Sequence, residues 1–98
     1  MSPRTPRAAA PAVERVQTGV RLEKRLLKVA KALADSLDLT LGDLLEGVLL
    51  HAIEGRAPFS PSTLARARQL KEVFGLDLTA ADAHHLVERP TAAQRRAR

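Results

Sequence analysis

Three histidines and a scatter of carboxylates are the groups in this chain best suited to metal binding or catalysis. His51 falls in one helical stretch and His84-His85 in another, with Asp82 and Glu88 close by. Asp82 with His85, or His84 with Glu88, have the i,i+3 and i,i+4 spacings that place two ligands on one helical face. Adjacent His84 and His85 would point about 100° apart on a helix and make poor co-ligands. No third ligand stands at a telling spacing, so solvated or interface histidines are the ordinary reading and no metal site is expected. Ser and Thr sit at helix starts, without a His and acid arranged to activate a nucleophile. There is no glycine-rich phosphate loop. No catalytic residue and no cofactor are expected, and the chain does not read as an enzyme.

A different chemistry lies in Arg15-Val16-Gln17-Thr18-Gly19-Val20-Arg21-Leu22. These residues alternate, with Val16, Thr18, Val20 and Leu22 on one side and Arg15, Gln17, Gly19 and Arg21 on the other. Period two is the mark of a strand. A lone strand is not stable in water, and no second strand candidate follows. Its partner is therefore expected on another copy of the chain, which makes the protein an obligate homodimer.

Charge supports a polyanion partner at that strand. The formal net charge is +5, unevenly spread. Residues 1–22 carry +3, residues 23–55 carry −2, residues 56–89 carry +1 and residues 90–98 carry +3. The positive charge thus sits on the strand and on both tails, away from the helices. For the tails, ordinary solvation is the competing reading.

Two helices must position the strand. The first starts at Glu23, with no strong side-chain cap in view. Leu26, Ala30, Leu33 and Leu37 repeat at helical spacing with Leu27 and Ala34 beside them, while Lys24, Arg25, Lys28, Lys31 and Asp35 take the wet side. It should stop near Leu37-Asp38-Leu39. Thr40-Leu41-Gly42-Asp43 has the capping-box form and opens the second helix. Leu41, Leu44, Leu45, Val48, Leu49, Ala52 and Ile53 make an apolar surface broader than one short helix and one strand can cover, which again calls for a symmetry mate. Gly55 closes it.

Ser60-Pro61 restarts the chain as N-cap and first helical residue. Leu64, Ala67, Leu70 and Phe74 give a modest apolar stripe, and Gly75 ends it. Thr79-Ala80-Ala81-Asp82 is a second capping-box match, and a last helix is expected to run to about Glu88, before Pro90. The organisation expected is a flexible basic arm over 1–14, a strand-helix-helix unit over 15–55, a two-helix C-terminal extension over 58–89 and a disordered basic tail over 90–98. The arm either tracks phosphates or is inert leader sequence.

The chain holds two Phe, no Tyr, no Trp and no Cys. A core built of Leu, Val and Ala at this length gains from oligomerisation. Without Cys, disulfides and thiolate metal sites are excluded. No apolar run reaches the roughly 18 residues of a membrane span, and the N-terminus lacks the apolar region of a secretory signal. No membrane partner is expected, and the default is a cytoplasmic protein.

Strand, helix, short turn and helix within about 40 residues resemble the ribbon-helix-helix family of DNA-binding proteins, which includes Arc-, MetJ- and CopG-like repressors. The residues carrying the resemblance are Gln17-Thr18-Gly19-Val20-Arg21-Leu22, then Leu26 and Leu33-Ala34, then Leu37-Asp38-Leu39-Thr40-Leu41-Gly42-Asp43-Leu44-Leu45. It covers residues 15–55 without gaps and rests on spacing and residue class. The resemblance implies a mostly α fold, an intertwined homodimer in which one short N-terminal strand pairs antiparallel across the dimer, with a C-terminal helical extension. The paired ribbon would enter the major groove of double-stranded DNA. Carried onto this chain, the base-reading positions are Gln17, Gly19 and Arg21. Arg21 suits guanine O6 and N7, and Gln17 suits adenine N6 and N7. Gly19 departs from the pattern, having no side chain to read with. It lets the ribbon sit closer to the bases, or it permits a bulge. Phosphate contacts fall on Arg15 and on the start of the second helix at Thr40, Leu41 and Gly42, where unpaired backbone donors favour anions. The shared dimer core would comprise Val16, Val20, Leu22, Leu26, Leu33, Leu45, Val48 and Leu49.

The leading expectation is a sequence-specific, nucleoid-associated transcriptional repressor. One alternative is an antitoxin that grips a toxin protein through residues 58–89 and regulates its own operon. Another is a nonspecific nucleoid or DNA-segregation protein. Residues 58–89 could equally pack on the core, bridge two dimers on DNA or bind another protein.

Overall fold

Three helices of equal length carry the chain, and each begins and ends on signals local to its own sequence. The computed structural model describes residues 10–90. Helix α1 spans Lys24–Ser36, α2 spans Leu41–Ile53 and α3 spans Pro61–Val73. At α2 the reciprocal cap expected at Thr40 is in place. The Asp43 N–H donates to Thr40 Oγ1 at 3.0 Å, and the Thr40 N–H to Asp43 Oδ2 at 3.5 Å. At α3 the Thr63 N–H donates to Ser60 Oγ at 3.2 Å, and Pro61 takes the first helical position, where its missing N–H costs nothing. α1 corrects the expectation of an uncapped start: the Leu26 N–H donates to Glu23 Oε1 at 2.8 Å, so a Glu serves as its N-cap.

All three helices stop the same way. Asp38, Gly55 and Gly75 follow the C-caps with φ of 64°, 73° and 66°. The next N–H reaches back to a carbonyl of the last turn, from Leu39 to Ala34, Arg56 to His51 and Leu76 to Lys71. This double closure satisfies carbonyls that a bare helix end would leave open. Glycine takes the left-handed position twice. Asp38 takes it once, as Asp tolerates that region better than most residues.

α1 is the central element. α2 and α3 each pack on it and not on each other. Leu33, Ala34 and Leu44 are buried together, with Ala30, Leu37, Val48, Phe59, Ala67 and Leu70 packed around them. Val29 and Leu76 complete the buried apolar set. The Cα radius of gyration is 16.9 Å, against roughly 13 Å for a compact domain of about 100 residues.

The last expected helix is replaced by a single 3₁₀ turn, Ala80–Asp82. The Thr79 N–H donates to Asp82 Oδ2 at 2.8 Å, as a helix start would. Ala83 then turns extended (φ −57°, ψ 135°) and His84 enters the left-handed region at φ 68°. A short helix needs an apolar face to bury, and here Leu86 and Val87 are both exposed. The extension is therefore one helix followed by irregular chain. Among the described residues there is no strand; residues 10–23 run without helix or sheet pairing. No helix among the described residues is long and apolar enough to cross a membrane. Residues 1–9 of the expected arm and 91–98 of the expected tail lie outside the described residues.

Candidate functional site

The segment leading into α1 presents its side chains almost wholly to solvent, since every residue from 10 to 22 is exposed. Among the described residues its side chains make two ion pairs elsewhere in the chain, both through arginines on the polar side of the alternation, one to α2 and one to the stretch after the 3₁₀ turn. Arg15 Nε donates to Glu46 Oε2 at 2.8 Å and Nη2 to Glu46 Oε1 at 2.9 Å, a two-pronged guanidinium–carboxylate pair. The hydrogen bond from Arg15 holds the Glu46 carboxyl below its ordinary value, and the same bond raises Arg15. Glu46 stands one turn after Gly42 on α2, so Arg15 lies on the flank of α2 that carries Gly42. Arg21 faces Glu88 in the same two-pronged manner, with Nε 3.3 Å from Oε1 and Nη2 in direct contact with Oε2. Gln17 and Gly19, between them, are exposed. A Cβ built on Gly19 meets nothing within 4 Å, so nothing in this chain requires glycine there.

At the start of α2, Thr40 and Gly42 are exposed and Leu41 is half-buried. The Asp43 N–H goes to the Thr40 side chain, which leaves the Leu41 and Gly42 N–H groups as the outward donors of the first turn. A Cβ on Gly42 would meet Thr40 Oγ1 at 3.9 Å, an ordinary contact.

The apolar residues expected to form a shared core divide into two groups. Leu33 is buried at 3% exposure within its own chain, and Val48 and Leu45 are half-buried. Val16, Val20, Leu22, Leu26 and Leu49 are exposed. Leu50 and Ile53, on the α2 side that carries Glu46 and Leu49, are exposed with them.

One feature escapes a reading by local pattern. Arg25, expected on the wet side of α1, is a half-buried latch. Its Nε lies 3.1 Å from Glu23 Oε2, while Nη1 donates to the Gly75 carbonyl at 2.8 Å and pairs with Asp77 Oδ1 at 3.0 Å. It thereby fixes the exit of α3 to the entrance of α1. Burial acts to raise the Glu23 carboxyl, but the Leu26 N–H and Arg25 outweigh it and leave that carboxyl below its ordinary value. Lys24, Lys28 and Lys31, expected on the wet side of α1, line one exposed face of it with no acidic partner among the described residues. Their i, i+4, i+7 spacing was the signal available for this ridge.

The histidines stay apart from this chemistry. His51 Nδ1 lies 2.7 Å from the Gly47 carbonyl, within its own helix, and His84 and His85 are exposed. Among the described residues no group of three His, Cys, Asp or Glu could hold a metal ion. An open depression of about 510 Å³, lined by Arg68, Lys71, Glu72, Gly75, Leu76 and Asp77, carries charges of both signs. No protein-family model, curated protein or solved structure matches this chain.

Proposed function

We propose that two copies of this chain pair their 15–22 segments into an antiparallel ribbon of the ribbon-helix-helix kind, and that the ribbon reads the major groove of duplex DNA as a sequence-specific transcriptional repressor. The observation that carries this reading is the exposure of the apolar side of the alternation. Val16 is 79% exposed and Val20 71%, while Ile53 on α2 is 80% exposed. Such surface, with only five buried hydrophobics among the described residues, suits cover by a second copy. The Arg15–Glu46 pair sets the segment's start near the flank of α2 that carries Leu49 and Ile53, both exposed and suited to cover by a second copy.

In the dimer, Gln17, Gly19 and Arg21 lie on the outer face of the ribbon. Arg21 pairs with guanine and Gln17 with adenine, each discriminating by roughly 1–3 kcal/mol. The free N–H groups of Leu41 and Gly42, with the Thr40 turn, receive a backbone phosphate. Arg15 contributes a second phosphate contact. α3 packs into the core through Ala67 and Leu70, aided by Phe59 from the preceding loop. That docking favours an extension that steadies the chain over one that folds on a toxin.

Selection of bound duplexes from a random pool tests the reading. The expected result is enrichment of an inverted repeat, with an affinity at least about 10³-fold above random DNA at physiological salt. Uniform binding to all sequences would point instead to a nonspecific coating protein, and no binding would remove the DNA reading altogether. Arg21→Ala should relax one base position in each half-site.

A further inference from the structure

Arg15 and Arg21 are six residues apart in the segment that leads into α1, a span of roughly 20 Å when fully stretched. Each is met by a carboxylate in two-pronged geometry, and the two carboxylates come from unrelated parts of the chain. Glu46 belongs to α2 and Glu88 to the irregular stretch after the 3₁₀ turn. A carboxylate and a phosphate offer a guanidinium the same arrangement of paired oxygens. The segment's two arginines are thus already occupied by the chain's own anions.

We propose that Glu88 is an internal competitor for the nucleic-acid phosphate or base edge that Arg21 would otherwise take, so that residues 83–90 must leave Arg21 before the ribbon can engage. This inference rests on the DNA-binding reading above. The stretch is built to leave. Leu86 is 52% exposed and Val87 91%. After the hydrogen bond from the His85 N–H to the Asp82 carbonyl, the contact of Glu88 with Arg21 is what ties it to the body among the described residues. Both partners of that contact are solvent-exposed. An exposed ion pair shifts an equilibrium by at most about fivefold, so the contact tunes affinity without blocking binding. Glu46 differs, because it sits on a helix: Arg15 can exchange it for a phosphate without any segment moving, whereas at Arg21 residues 83–90 depart with the carboxylate.

The test is Glu88→Gln in the full chain, compared with Glu72→Gln. Glu72 is an exposed carboxylate on α3 that pairs with no arginine among the described residues, and its replacement changes net charge equally. Duplex affinity in titrations at about 0.15 M salt should rise two- to fivefold for Glu88→Gln beyond any rise for Glu72→Gln. In the free protein, the Arg21 Nε–H resonance should move in Glu88→Gln and stay in place in Glu72→Gln. Equal affinities for the two variants, or an unmoved Arg21 resonance, would overturn the proposal while leaving DNA binding intact. Failure of all three proteins to bind would overturn both readings, whatever the resonance does.

Discussion

Val20→Ser is the substitution that most directly weighs the paired ribbon. Val20 leaves 71% of its surface open in the single chain. Complete burial of a valine contributes about 1.5–3 kcal/mol, so covering the open part contributes about 1–2 kcal/mol per copy. A two-fold interface counts the residue twice, giving about 2–4 kcal/mol for the pair. At 1.4 kcal/mol per tenfold, the dimer dissociation constant should rise roughly 30-fold to several-hundred-fold. Gln17→Ser, on the opposite side of the alternation, should change it by no more than about twofold, as surface substitutions usually do. Sedimentation equilibrium over a concentration series measures both, with interference optics because the chain has no Trp or Tyr. The wild-type thermal midpoint should also climb with protein concentration. If Val20→Ser associates as tightly as Gln17→Ser, the apolar side does not face a second copy. A wild-type chain that stays monomeric throughout refutes the pairing itself.

Thr40→Ala removes the acceptor for the Asp43 N–H and should lower the unfolding free energy by about 1 kcal/mol in denaturant titration; a loss within a few tenths would mean Asp43 alone holds the α2 start. Gly75→Ala keeps an open Cβ position but forces a side chain to φ 66°, and should cost about 1–2 kcal/mol by the same measurement. Glu46 and Glu23 are both held below their ordinary carboxyl values in the folded chain. Their contribution to stability is therefore complete above the usual carboxylate range and lost as pH falls through their lowered folded values. Chemical denaturation against pH should show stability declining on the acid side, with a shallower decline in Glu46→Gln; an unchanged slope would detach the Arg15 contact from folding.

Much of the helical layout was legible because its signals are local. Thr40 with Asp43, Ser60 with Pro61, and the stops at Gly55 and Gly75 each act within four residues, and the helices obey them. Leu33 and Ala34 were placed correctly by helical spacing alone. What the sequence concealed depends on distance along the chain. Thr79 and Asp82 form a helix-like start, yet no helix follows, because Leu86 and Val87 find nothing to pack against. Arg25 has the spacing of a surface residue, and only the arrival of Gly75 and Asp77, about 50 positions away, makes it a latch. The engagement of Arg21 by Glu88 spans 67 positions and leaves no trace in any local pattern.

Because α2 and α3 each pack on α1 rather than on one another, α1 is the helix whose release requires both seams to part. α3 is held to α1 by Ala67 and Leu70 on the shared core, by the Arg66 bond to the Ser36 carbonyl and by the Arg25 bond to the Gly75 carbonyl, and parting that seam would leave α1 and α2 joined through Leu33, Ala34 and Leu44. Amide protons of α3 should then exchange with solvent through a cheaper opening than those of α1.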